Sequence, residues 1–301
     1  MIRTVTGDIA QISGAILAHE HLQIDLTAQK GANNILGPEE EPQIVADLTA
    51  AKGLGLAAIC DLSAPGWGRD LVALKRISQT AGLPVIAAAG FYWDPFPDFA
   101  ATACVEDMRD RLIAEVEVGV DGTDLRCGLI KIGTDKGEPD ERADRLFRAA
   151  AAAAMATGFP IITHTSKLSQ AYWQVDVLEQ AGMAMNRVLI SHMGAASEVT
   201  PLVEIGARGC FLGIDKVSFP KGPKNPELAD LVCAALDRGL SDRLIFSSDV
   251  ARRTMLSASG APSYGAVFTD FLPMLRARGV SQDVLDAIVR NNPARLLTRA
   301  A

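Results

Sequence analysis

The sequence predicts an α/β protein, a single (β/α)8 barrel running from residue 1 to residue 301. Eight short runs of apolar, largely β-branched residues recur along the chain, and helix-length segments with apolar residues at three- and four-residue spacing lie between them. No shift in composition reads as a linker, and strand-helix alternation repeated this often closes on itself as one barrel.

Taken in order, the first run is AILAHEHL (15–22), followed by the helical segment PQIVADLTAAKGLG (42–55). The second, LAAICDLS (56–63), leads into RDLVALKRISQTAG (69–82), and the third, PVIAAAGFY (84–92), into VEDMRDRLIAEVEVG (105–119). After the fourth run, CGLIKIGT (127–134), the alanines 149–154 read as a high-propensity helix with Pro139 near its start and Gly158 near its end. The runs PIITHT (160–165), RVLISHM (187–193), CFLGID (210–215) and RLIFSSD (243–249) complete the eight. PELADLVCAALDRG (226–239) separates the last two, and YGAVFTDFLPMLRARG (264–279) and SQDVLDAIVR (281–290) close the chain.

A hydrophobic content of 49% supplies a large core, while a net charge of −7 and a pI near 5.2 exclude the broad basic surface that nucleic acid or an anionic membrane requires. Small anionic substrates stay open. The stretch MIRTVTGDIAQISG lacks a basic region followed by a long apolar segment, and no apolar run approaches the roughly 18 residues of a membrane helix. Cys60, Cys104, Cys127, Cys210 and Cys233 are odd in number, scattered and mostly set in apolar runs. They read as reduced core residues of a cytoplasmic protein.

The polar residues fall into register with this barrel. The chain has four histidines, and all sit at strand ends: His19 and His21 on the first strand, His164 on the fifth, His192 on the sixth. Alternate residues of a strand share a face, so the imidazoles of His19-Glu20-His21 project together and Glu20 projects away. Two convergent imidazoles make a chelate. Lys131 ends the fourth strand and Asp249 the eighth, at the end of the barrel where catalytic groups collect. A lysine buried among cations is pushed toward its neutral amine. That form adds carbon dioxide to become an anionic carbamate, which has two oxygens able to bridge two metal ions.

With these residues assembled, the sequence resembles the amidohydrolase superfamily. The phrases AHEHL, LIKIGT, ITHTS, ISHMG and RLIFSSDV are similar to its phosphotriesterase branch, including the phosphotriesterase-like lactonases. The resemblance implies two divalent ions, with zinc first and manganese, iron or cobalt as alternatives. His19, His21 and Asp249 would hold the more buried ion and His164 and His192 the more exposed one. Lys131, carboxylated to N6-carboxylysine, and a hydroxide would bridge them. It further implies a bridging hydroxide as nucleophile, Asp249 as its proton acceptor, and a homodimer.

On substrate, the resemblance implies that Tyr92 faces the reacting molecule. Lys221 in the loop after the seventh strand and Arg252 beyond the eighth match residues that receive the phosphate in members acting on phosphorylated sugar lactones. Lys216, Lys224 and Arg253 add charge to the same loops. Two departures appear: Asp215-Lys216 stands where Asp-Arg is frequent, and Met255 stands where the sugar-phosphate group has tyrosine. The expectation is a metal-dependent hydrolase of a small, anionic lactone. A phosphotriester or amide hydrolase on the same centre is the alternative, and a non-catalytic binding barrel is opposed by the completeness of the ligand set.

Overall fold

The computed structural model describes residues 1–91, 97–134 and 137–300. Eight parallel strands, β1 (Ala15–Glu20), β2 (Leu56–Asp61), β3 (Val85–Ala89), β4 (Leu129–Gly133), β5 (Ile161–His164), β6 (Val188–Ile190), β7 (Phe211–Ile214) and β8 (Leu244–Phe246), pair in consecutive order. Each lies within its expected run. Helices α1 (Glu41–Gly53), α2 (Leu71–Ala81), α3 (Val105–Glu117), α4 (Glu141–Thr157), α5 (Leu168–Gln180), α6 (Thr200–Ala207) and α7 (Asn225–Asp237) fill the crossovers. Further helical turns occupy 267–277 and 282–297 after β8.

Local chemistry sets these boundaries. The Asp140 side chain accepts the Ala143 amide to start α4, and Gly158, at φ 74°, ends it in the left-handed region that glycine adopts freely. Ala143, Ala149, Ala150, Ala151, Ala153 and Ala154 of α4 are buried, and their small side chains let the helix lie close to its neighbours. Asp70 and Gly82 bound α2 in the same way.

Alternation along the strands divides the core in two. Ile16, Ala58, Ile86, Leu129, Ile162, Leu189, Phe211 and Ile245 form one inner cluster, capped by Ile2, Leu296 and Leu297. Their neighbours Leu17, Ile59, Ile130, Ile161, Ile190, Leu212, Leu244 and Phe246 belong to the cluster that faces the helices. By this two-residue period Lys131 follows Leu129 inward and His164 follows Ile162. Strand β1 breaks the period. Leu17 pairs with Ile59 but Glu20 with Asp61, a bulge that inserts one residue on β1. Without it His19 would share the outward parity of Leu17; with it, His19 and His21 turn into the barrel and Glu20 turns aside.

The seam between β8 and β1 is closed by irregular bonds. The Asp249 amide donates to His19 O at 3.2 Å, the His21 amide to Val250 O at 3.1 Å and the His19 amide to Ser247 Oγ at 3.0 Å. Two short antiparallel pairs, Ile2–Thr4 with Gly7–Ile9 and Ile24–Asp25 with Ile35–Leu36, were not expected from the sequence. Cysteines 60, 127 and 210 are buried as expected, whereas Cys104 is exposed at the start of α3 and Cys233 is half-buried. Among the described residues no helix is long and apolar enough to cross a membrane.

Candidate metal centre

The side chains at the C-terminal ends of β1 and β8 converge on a point. His19 Nε2 lies 3.8 Å and His21 Nε2 3.5 Å from Asp249 Oδ1, and one donor atom from each of the three lies within 4.8 Å of the others. Donors that share one transition-metal ion at about 2.0–2.2 Å stand at such separations, so the set fits a divalent ion. On the facing side His164 Nδ1 and His192 Nε2 are 3.0 Å apart, a second pair of nitrogens with a common direction. Lys131 is fully buried, and its Nζ donates to Thr163 O at 2.8 Å.

What the other ring nitrogens touch determines which nitrogens are available. His19 Nδ1 faces Ser191 Oγ at 2.8 Å and Asp215 Oδ2 at 3.0 Å, His21 Nδ1 faces Ser63 Oγ at 2.8 Å, and His192 Nδ1 faces Asp215 Oδ1 at 2.8 Å. A proton on each Nδ1 leaves each Nε2 with a lone pair for an ion. Asp215 also accepts the His192 amide, at 3.0 and 3.1 Å. Although it lies near His19 and His192, its oxygens are taken by the non-ligating faces of these rings. It orients the imidazoles of both His19 and His192. Gly213 makes room for it, since a Cβ there would come within 2.6 Å of Asp215 Oδ2.

Burial governs the electrostatics. It drives the His19 imidazolium down to about 3, with Lys131 adding repulsion, and holds His164 well below its ordinary value, with His192 and Lys131 contributing. Both rings are therefore neutral, as ligation requires. Burial likewise lowers the Lys131 ammonium to about 7, against the pull of Asp215 and Asp249. Burial would raise Asp215, but His192 and His19 outweigh it and keep the carboxylate ionised.

Two of these residues have unusual backbones. His192, at φ 64°, and Asp249, at φ 53°, occupy the left-handed region, where non-glycine residues cost of order 1–3 kcal/mol and tend to mark functional sites.

Above the donors opens a cleft of about 490 Å³, lined by His164, Asp249, Lys216, Phe219, Lys221 and Arg252 together with Lys30, Asn34, Thr165 and Ser166. The Arg252 guanidinium lies 4.8 Å from the centre of the Phe219 ring, and Lys216 Nζ lies 5.6 Å from it. Arg252 Nε is buried without a hydrogen-bond acceptor among the described residues.

The family model described as "Phosphotriesterase family" matches residues 1–297. The chain belongs to the phosphotriesterase family. It is 31% identical over 285 residues to a phosphotriesterase homology protein of Escherichia coli, covering 94% of this chain and 97% of that one. A crystal structure of an E. coli phosphotriesterase homology protein, complexed with phosphate in its active site, is similar with a TM-score of 0.91 at 30% identity, over 95% and 99% of the two chains. Human N-acetyltaurine hydrolase is 29% identical over 289 residues, 91% of this chain and 82% of that one. The fold is also that of a lactonase from Listeria monocytogenes, with a TM-score of 0.92 at 23% identity over 100% and 99% of the chains.

As a phosphotriesterase-family protein, the chain is a metal-dependent hydrolase. The structure brings His19, His21, Lys131, His164, His192 and Asp249 together at one end of the barrel, and Lys221 and Arg252 to its mouth. Tyr92 lies outside the described residues. Of the remaining cations expected at the mouth, Lys216 lines the cleft and two depart. Arg253 turns away to pair with Glu40 at 2.5 Å and Glu39 at 3.3 Å, and Lys224 is the residue that precedes α7. Sequence reasoning missed Asp215 as the brace of two imidazoles, Ser63 and Ser191 as their partners, and Phe219 as the support of Arg252. Only Asp215 carried a signal, being a carboxylate at the end of an apolar run.

Proposed function

We propose that this chain hydrolyses a small anionic carbonyl compound, a lactone, at two divalent ions, of which zinc suits the imidazole and carboxylate donors best. His19, His21 and Asp249 would hold one ion and His164 and His192 the other. Lys131, as a carbamate, would offer an oxygen to each. When bound, such ions supply a hydroxide at neutral pH and polarise the substrate oxygen under attack.

The chain's own residues do the rest. Asp215, Ser63 and Ser191 hold the imidazoles in the ligating tautomer. Asp249 would accept the nucleophile's proton as the new C–O bond forms and pass it to the alkoxide oxygen that leaves as the ring opens, giving the carboxylate and the alcohol. Arg252, stacked on Phe219, and Lys221 receive the substrate's anionic group, which anchors the carbonyl over the donors. The observation that carries this reading is the cleft itself, because it sets four cationic side chains, Lys30, Lys216, Lys221 and Arg252, beside His164 and Asp249 in an otherwise acidic chain.

An amide reading is favoured by a separate observation, the 29% identity to a protein named for hydrolysis of N-acetyltaurine, which carries a sulfonate. The same cations would serve that group. Metal-loaded protein assayed on matched lactones, an N-acyl aminosulfonate and a phosphotriester decides between them. The expected order places the anionic lactone first in kcat/KM. A dominant rate on the amide or the phosphotriester would overturn the lactone assignment.

A further inference from the structure

Asp249 is left-handed, with its carboxylate beside His19 and His21, and a side chain from another strand bonds to the amides on either side of it. Glu20 Oε1 accepts the Ser248 amide at 2.6 Å, and Glu20 Oε2 accepts the Val250 amide at 2.7 Å. One carboxylate therefore takes both N–H groups that flank Asp249. A left-handed residue between two amides turns them toward one concave point, the backbone nest that receives anions. Here the acceptor is a fully buried carboxyl group, which burial pushes well above the usual carboxylate range against the pull of the two amides, brought to the seam by the bulge on β1.

We propose that Glu20 is a positioning residue: by gripping the amides on either side of Asp249, it imposes the conformation that aims the Asp249 carboxylate at Nε2 of His19 and His21. The middle residue of the His-Glu-His triplet thereby does for Asp249, from β1, what Asp215 does for the left-handed His192 from β7. The grip stands on geometry alone; its consequence for ion binding rests on the ligand assignment proposed above.

Glu20→Gln keeps the shape but presents an NH2 to one of the two amides, so only one bond can form. In metal-free protein, amide exchange at Ser248 and Val250 measured by NMR should quicken at least tenfold, and the backbone coupling of Asp249 should leave the left-handed range. Unchanged exchange and an unchanged coupling would overturn the grip. In the second measurement, competition with a chromogenic chelator for zinc, Glu20→Gln should weaken binding about ten- to a hundredfold. Added to Asp249→Ala, it should weaken binding no further, because the ligand it positions is gone. Equal losses in both backgrounds would mean that Glu20 acts otherwise, and would overturn the proposal. A wild-type chain that takes up no zinc would defeat the ligand assignment, and the exchange measurement would still decide the grip. Should Glu20→Gln fail to fold, Glu20→Asp, which keeps the carboxyl group but reaches only one amide, takes its place under the same criteria.

Discussion

At the residue scale the six candidate ligands were legible because they are chemically rare and positionally regular. Four histidines at strand ends and a lysine inside an apolar run are costly to bury in a barrel unless they bind something. Their supports were not legible. Glu20 acts on amides 228 and 230 residues away, and no local pattern announces a carboxylate whose partners are backbone groups across a seam. Lys131 gives a direct test. Lys131→Met keeps the length but removes the amine, and the fold should survive because the residue sits at the catalytic end and not within the packed layers. Activity should fall by more than the ten- to hundredfold typical of losing a partner of a ligand, and elemental analysis should find less than two ions per chain. Activity within a few-fold of wild type would remove the carbamate. Arg252 gives a second test. A charge-assisted contact to a phosphate, sulfonate or carboxylate contributes about 1.5–3 kcal/mol, so Arg252→Ala should raise KM roughly ten- to a hundredfold for an anionic lactone. KM for its neutral counterpart should barely move. Equal effects on both substrates would show that Arg252 does not meet the anionic group.

At the element scale, the eight strands were readable from runs of apolar residues, because parallel strands buried on both faces carry almost no polar positions. The bulge on β1 was not readable, since one inserted residue changes the register without changing composition. The two short antiparallel pairs offered only two or three residues each. Gly213 on β7 illustrates how an element is shaped by the site it carries. A Cβ there would approach Asp215 Oδ2 at 2.6 Å and Ser191 Cα at 3.1 Å. Gly213→Ala should therefore push Asp215 off the Nδ1 atoms of His19 and His192, at an overpacking cost of about 1–3 kcal/mol. Thermal unfolding should show the lower stability, and chelator competition should show weaker binding of both ions, since Asp215 braces one imidazole from each half. Unaltered affinity would mean that β7 yields and the brace survives.

At the scale of the whole molecule, the ligand assignment proposed above makes ions and protons competitors for the same nitrogens, and burial of those nitrogens ties stability to pH. His19 is depressed from 6.5 to about 3 and His164 is depressed in the same direction, both mainly by burial. In the unfolded chain these imidazoles take up protons near 6.5; in the fold they do not. The unfolded state thus binds more protons throughout this window, so stability must fall as pH falls from about 6.5 toward about 3 and be retained above it. Divalent ions at a hundredfold excess over Kd should add about 2.7 kcal/mol per site, or roughly 4 °C in the melting midpoint for each. Because ligation requires neutral imidazoles and an ionised Asp249, that increment should shrink as the medium is acidified. The measurement is a set of melting curves for chelated and zinc-loaded protein between pH 8 and pH 4. The expected result is two descending lines that converge at the acid end. Parallel lines, or a chelated protein as stable at pH 4 as at pH 7, would separate the histidines from the ions and remove the metal from the account of how this barrel is held together.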